Sequence, residues 1–137
     1  MIFSCIIPCK STDDSLLNDL LKSIREQDFP QDQIETIVVT EGDSEEAKAI
    51  GIRQAKGEIC AMFCADNMIL DKEFFRFVYE IFRDDSLTGV YTKHYGYVEG
   101  DNSLNRYFSL LGCNDPIPYY LDKADRIPYS RRPEWDV

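Results

Sequence analysis

The sequence predicts an α/β fold: a mainly parallel sheet with flanking helices. Two observations carry that expectation. Short apolar runs rich in β-branched residues alternate with segments of helical period, in the order βαβαβαβ. Glycine or proline stands where an element has to stop, at Phe29-Pro30, Gly57 and Gly112. Strands alternating with helices imply right-handed crossovers between parallel neighbours. A flavodoxin-like and a Rossmann-like arrangement satisfy the same pattern, so periodicity speaks to class and not to function.

Phe3 to Pro8 is a continuous apolar run ended by proline, as expected of a strand buried on both faces. A polar turn, Lys10-Ser11-Thr12-Asp13, leads to Leu16, Leu17, Leu20, Leu21 and Ile24 at helical spacing. Phe29-Pro30 breaks that helix. Ile34 to Thr40 is the second strand, and Glu41-Gly42 turns the chain. Asp43 and Glu46 have capping-box spacing for the next helix, with Ser44 as a rival cap. Gly57 is expected as the residue that closes this helix. Glu58 to Cys64 is the third strand. Asp71 to about Phe82 is an aromatic amphipathic helix with Phe74, Phe75, Val78 and Phe82 on one side. Gly89 to about Tyr97 is expected as a fourth strand and Ser103 to Leu111 as a helix. Pro116, Pro118, Pro128 and Pro133 make the tail irregular.

The chain has 137 residues, one domain at most, and at 44% hydrophobic it can bury a core. Its net charge of -10 argues against a nucleic-acid backbone as partner. No stretch spans a bilayer and no signal peptide is evident. A cytoplasmic location is expected, at the membrane face if downstream segments bring it there. The five cysteines are read as reduced thiols. Cys5/Cys9 and Cys60/Cys64 share one spacing, which is wider than the C-x-x-C of a zinc site. There is no G-x-G-x-x-G after the first strand and no P-loop, which weakens the common nucleotide readings.

Four blocks carry a resemblance. Ser4-Cys5-Ile6-Ile7-Pro8-Cys9-Lys10-Ser11 is similar to "SVIIPTYN". Gln27-Asp28-Phe29-Pro30 is similar to "Q.yp", and Glu35 to Ser44 to "EIIVVDDGS". Lys48 to Asn67 resembles "ArNiGi..AkGeyi.flDsDd". These are motifs of family 2 glycosyltransferases, and they cover the first half of the chain. The resemblance implies a GT-A, nucleotide-diphospho-sugar transferase-like domain over residues 1–137. It would be an incomplete GT-A domain, lacking the C-terminal acceptor half. The activity implied is inverting transfer of a sugar from a nucleotide-diphosphate donor to a hydroxyl of a glycan, lipid or small-molecule acceptor.

The resemblance also implies roles. Pro8, Cys9 and Lys10 would flank the nucleoside. Thr40 and Glu41 stand where the family has two aspartates that contact base or ribose. Lys48 stands for the arginine near the phosphates. Asp66 matches the last aspartate of DxD, which binds Mg²⁺ or Mn²⁺. A divalent cation bridging the departing diphosphate stabilises its charge, and one carboxylate plus phosphates and water suffices to hold it. Asp115, in Asn114-Asp115-Pro116 beside Tyr107, Phe108, Tyr119 and Tyr120, is the candidate acceptor-side residue or base. Departures stand beside the matches. Cys64 replaces the first aspartate of DxD, Thr40 the first of "DDGS", and Ala49 the asparagine of "ArN".

Plainer readings exist for each residue. Asp66-Asn67 and Asp115-Pro116 are also ordinary turns. Glu41 is also a helix-entry acid, Lys48 a solvated charge, and His94 one polar residue in an aromatic strand. A sugar-nucleotide-binding module without turnover is the alternative function. A nucleotidyltransferase is weaker, because Cys9-Lys10-Ser11-Thr12 is not a glycine-rich basic loop.

Overall fold

Phe3–Pro8 forms the middle strand, β1, and its sequence explains the rest of the sheet. Phe3, Ser4, Cys5, Ile6 and Ile7 are completely buried, so both faces of β1 are covered, as the continuous apolar run requires. The computed structural model describes residues 1–90, 99–100, 102–104 and 107. They fall into two compact units, Met1–Glu80 and Ile81–Val137. The sheet lies in the first. It has three parallel strands in the order β2-β1-β3, with β2 at Ile34–Val39 and β3 at Ile59–Met62. Phe3 is opposite Ile34 on one side and Ile59 on the other.

The alternate residues of β1 meet different partners. Phe3, Cys5 and Ile7 pack with Leu17, Leu20 and Ile24 of α1 (Ser15–Arg25) and with Phe75 of α3 (Phe74–Ile81). Phe3 contacts Phe75 edge to face at 4.8 Å and Phe29 at 5.3 Å. Each buried large side chain of this kind contributes about 2 kcal/mol. The other face of β1 receives α2 (Ser44–Gln54) at close range, with Gly51 against Ile6. Burial of Cys5, with the Glu35 charge adding to it, pushes that thiol up to about 12.

α1 and α2 both begin at side-chain caps, the second being the one the sequence signals. Asp14 caps α1 by accepting from the Leu16 N–H at 2.9 Å. Asp43 accepts from Glu45 and Glu46 N–H, each at 2.9 Å, and Glu46 accepts from the Asp43 N–H at 3.2 Å. That is the expected capping box. Two expectations need correction. α2 stops at Gln54, with Ala55 as its cap, and Gly57 does not close it in a left-handed conformation. Gly57 is needed because a Cβ there would lie 2.6 Å from the β1 backbone. The aromatic helix starts at Phe74, because the Asp71 carboxylate takes the Glu73 N–H at 2.8 Å and forms its entry turn.

In the second unit, Asp84 accepts from the N–H and the hydroxyl of Ser86, closing a turn. Ser103, Leu104 and Tyr107 are helical. The fourth strand falls mostly on residues 91–98, outside the described residues, as does His94. Among the described residues no helix is long and apolar enough to cross a membrane.

Candidate functional site

Parallel pairing brings the carboxyl ends of all three strands to one edge. Pro8 is opposite Val39, and the Cys9 N–H donates to Val39 O at 3.0 Å. On the other side of β1 the Phe63 N–H donates to Ile6 O at 3.0 Å. Pro8-Cys9-Lys10, Thr40-Glu41 and Cys64-Ala65-Asp66 therefore leave the sheet side by side. β1 leads to α1 on one face and β2 to α2 on the other. Beyond strand ends where loops part in this way is where α/β proteins bind ligands.

Asp66 is held by its backbone. The Asn67 N–H donates to Cys64 O at 3.0 Å, so residues 64–67 form a turn with Asp66 near its tip. Ala65 packs against the core while the Asp66 side chain is exposed. Lys10, Thr40 and Glu41 are exposed too, and Pro8 and Cys9 are half-buried. Lys48 lies in the second turn of α2. Its ammonium donates to Glu45 at 2.7 Å, so its charge is partly spent along its own helix. That hydrogen bond raises its pKa most, and the nearby Cys64 sulfur adds to the rise.

The electrostatics of this edge are one-sided. Near the strand ends, the loops and first helical turns carry Asp13, Asp14, Glu41, Asp43, Glu45, Glu46 and Asp66, beside Lys10 on the β1 loop and Lys48 one turn into α2. A helix N-terminus ordinarily attracts phosphate. Here Asp43 already occupies the first amides of α2, and Glu45 and Glu46 follow it. An anionic ligand at this edge needs a cation to offset those carboxylates.

The expected sites fare unequally. Pro8, Cys9, Lys10, Thr40, Glu41 and Asp66 share one edge, and Lys48 lies within electrostatic reach of Cys64. Cys9 packs against the core whereas Cys64 is exposed, and both are free thiols. Asp115 lies outside the described residues. Among the described residues, no three His, Cys, Asp or Glu side chains converge as a ready metal-ligand set. Asp66 offers one hard oxygen ligand at an open turn, which fits a cation held mainly by phosphate and water.

Two further features escaped the sequence. At the opposite, amino edge the Ser4 hydroxyl donates to Glu35 at 2.5 Å and accepts from the Gly57 N–H at 2.7 Å. Glu35 also accepts from the Lys56 N–H at 2.6 Å. These bonds, that from Ser4 first, hold the Glu35 carboxyl below its ordinary value. Buried Ser23 of α1 and Gln27, just past the end of that helix, bond to the chain after β3. Gln27 Oε1 is buried without a hydrogen-bond partner among the described residues, a cost of about 1–3 kcal/mol. The amide's two donated bonds must offset that cost. Ser4, Glu35, Gly57 and Gln27 stand in the matched motif blocks, whereas Ser23 had no signal in the sequence.

Compared with protein-family models, with curated proteins and with solved structures, the chain has no match in any of the three.

Proposed function

We propose that this chain is the donor-binding part of an inverting glycosyltransferase, using a nucleotide-diphosphate sugar and Mg²⁺ or Mn²⁺. The observation that carries the proposal is the exposed Asp66 carboxylate, held at the tip of a turn next to the β1 carboxyl end. Pro8, Cys9 and Lys10 flank the nucleoside from one side, and Thr40 and Glu41 from the other. Asp66 would hold the cation, and Lys10 is the positive charge of the β1 loop. When bound, the cation offsets the charge that gathers on the departing diphosphate. In the transfer, the bond from the sugar's anomeric carbon to phosphate breaks as the acceptor oxygen bonds to that carbon. The acceptor's proton goes to a general base, for which Asp115 is the candidate.

A second reading has its own support. Lys48 is ion-paired with Glu45, and Cys64, a poor ligand for a hard cation, stands where a carboxylate would help. A sugar-nucleotide-binding module without turnover uses the same sheet edge and lacks the chemistry.

Calorimetry with UDP and GDP, with and without Mn²⁺, tests the site. Binding that needs Mn²⁺ and is lost in Asp66→Ala supports it. Absence of binding under every condition overturns it. Release of free sugar or glycoside from a bound nucleotide sugar then separates the enzyme from the module.

A further inference from the structure

We infer that Ser23 of α1 and Gln27, just past the end of that helix, are positioning residues for the turn that carries Asp66. The inference rests on the donor-site reading above. Residues 63–73 belong to no helix or strand, so no ladder of backbone bonds sets the direction of Asp66. Upstream, the turn is closed by the bond from Asn67 to Cys64. Downstream, the chain passes exposed Met68 and reaches Ile69, whose N–H donates to Ser23 Oγ at 3.1 Å. The same hydroxyl donates to Leu20 O at 2.8 Å. One small side chain thus ties the loop backbone to the helix backbone. Two residues further on, Asp71 O accepts from Gln27 Nε2 at 3.0 Å, and the same nitrogen donates to Ser23 O at 3.2 Å.

Both side chains are buried, Ser23 at 8% and Gln27 at 7% exposure. Water has little access to compete for these bonds, so the geometry they set is firm. Ile69 adds a packing contact with the core between the two tethers. The hydrogen bonds of Ser23 and Gln27 therefore reach across 46 and 44 residues of sequence to the segment just after Asp66. Neither residue is expected to touch the ligand; each acts through the backbone that aims the carboxylate.

The test uses the full chain with Ser23→Ala, Ser23→Thr and Gln27→Met, and the same UDP and GDP titrations with and without Mn²⁺. Supporting groups that orient a metal-binding carboxylate typically change metal affinity by about 10- to 100-fold. Ser23→Ala is expected to lower the Mn²⁺-dependent affinity about ten-fold and to leave the metal-free affinity unchanged. Ser23→Thr, which keeps the hydroxyl, is expected to restore it. Gln27→Met is expected to lower it in the same sense, and it carries the test if Ser23→Ala does not fold. Should the unmodified chain bind with Mn²⁺ and the folded variants bind equally well, the positioning role is overturned and the donor site stands. If the unmodified chain binds neither nucleotide, the donor-site reading falls and takes this role with it.

Discussion

The two ends of the sheet use the same kinds of residue in opposite ways. At the amino edge, Ser4, Glu35 and the Lys56 and Gly57 amides satisfy one another. The carboxylate there is taken up by donors from β1 and from the loop before β3. At the carboxyl edge, Glu41 and Asp66 are exposed carboxylates on loops. A closed polar network serves the fold, because its groups spend their bonding capacity on each other. An open set of carboxylates has capacity left for a ligand. The contrast separates a structural acid from a candidate functional one more sharply than acidity or position in the sequence does.

That contrast can be broken from the amino edge. Gly57→Ala forces a methyl group against the β1 backbone, and a loss of about 3 kcal/mol is expected in urea unfolding. An unchanged midpoint would mean that the loop before β3 does not press on β1. Ser4→Ala removes the hydroxyl that the Gly57 N–H uses and leaves that donor unsatisfied. The expected loss is about 2 kcal/mol by the same measurement. A smaller effect is expected from the charge of Glu35. Its carboxyl pKa is lowered from 4.5 on folding, so the stability it contributes is present above pH 4.5. That contribution is lost as pH falls through the lower folded value. Urea midpoints of the unmodified chain and of Glu35→Gln should differ at neutral pH and converge in acid. A gap that widens in acid contradicts the network.

The smallest effect on stability belongs to the other edge. Asp66→Ala is expected to change unfolding by no more than about 0.5 kcal/mol, while removing Mn²⁺-dependent nucleotide binding. A large destabilisation would make Asp66 a structural acid like Glu35 and erase the distinction.

Local patterns were legible in the sequence and distant pairings were not. β1, α1 and the Asp43–Glu46 capping box follow from apolar period and from residues three apart. The carboxyl-edge gathering of Lys10, Thr40, Glu41 and Asp66 follows from parallel strand order. Gly57 was misread because a glycine after a helix suits both a left-handed cap and a close backbone approach. Only the three-dimensional contact with Phe3 and Ser4 decides between them. The partners of Ser4 are 31 and 53 residues away, and the loop partner of Ser23 is 46 residues away. Side-chain bonds to distant backbone have no period to betray them.

Cys5 also equips the molecule with an internal clock. Its thiol sits in the middle of the central strand, wholly buried, whereas Cys60 and Cys64 are exposed. An alkylating reagent reacts with thiolate, so it meets the two outer sulfurs at once and cannot reach Cys5 until β1 is released. In excess reagent, the rate at which the peptide bearing Cys5 gains label reports how often the central strand opens. That rate is readable by mass spectrometry without denaturant and without any ligand.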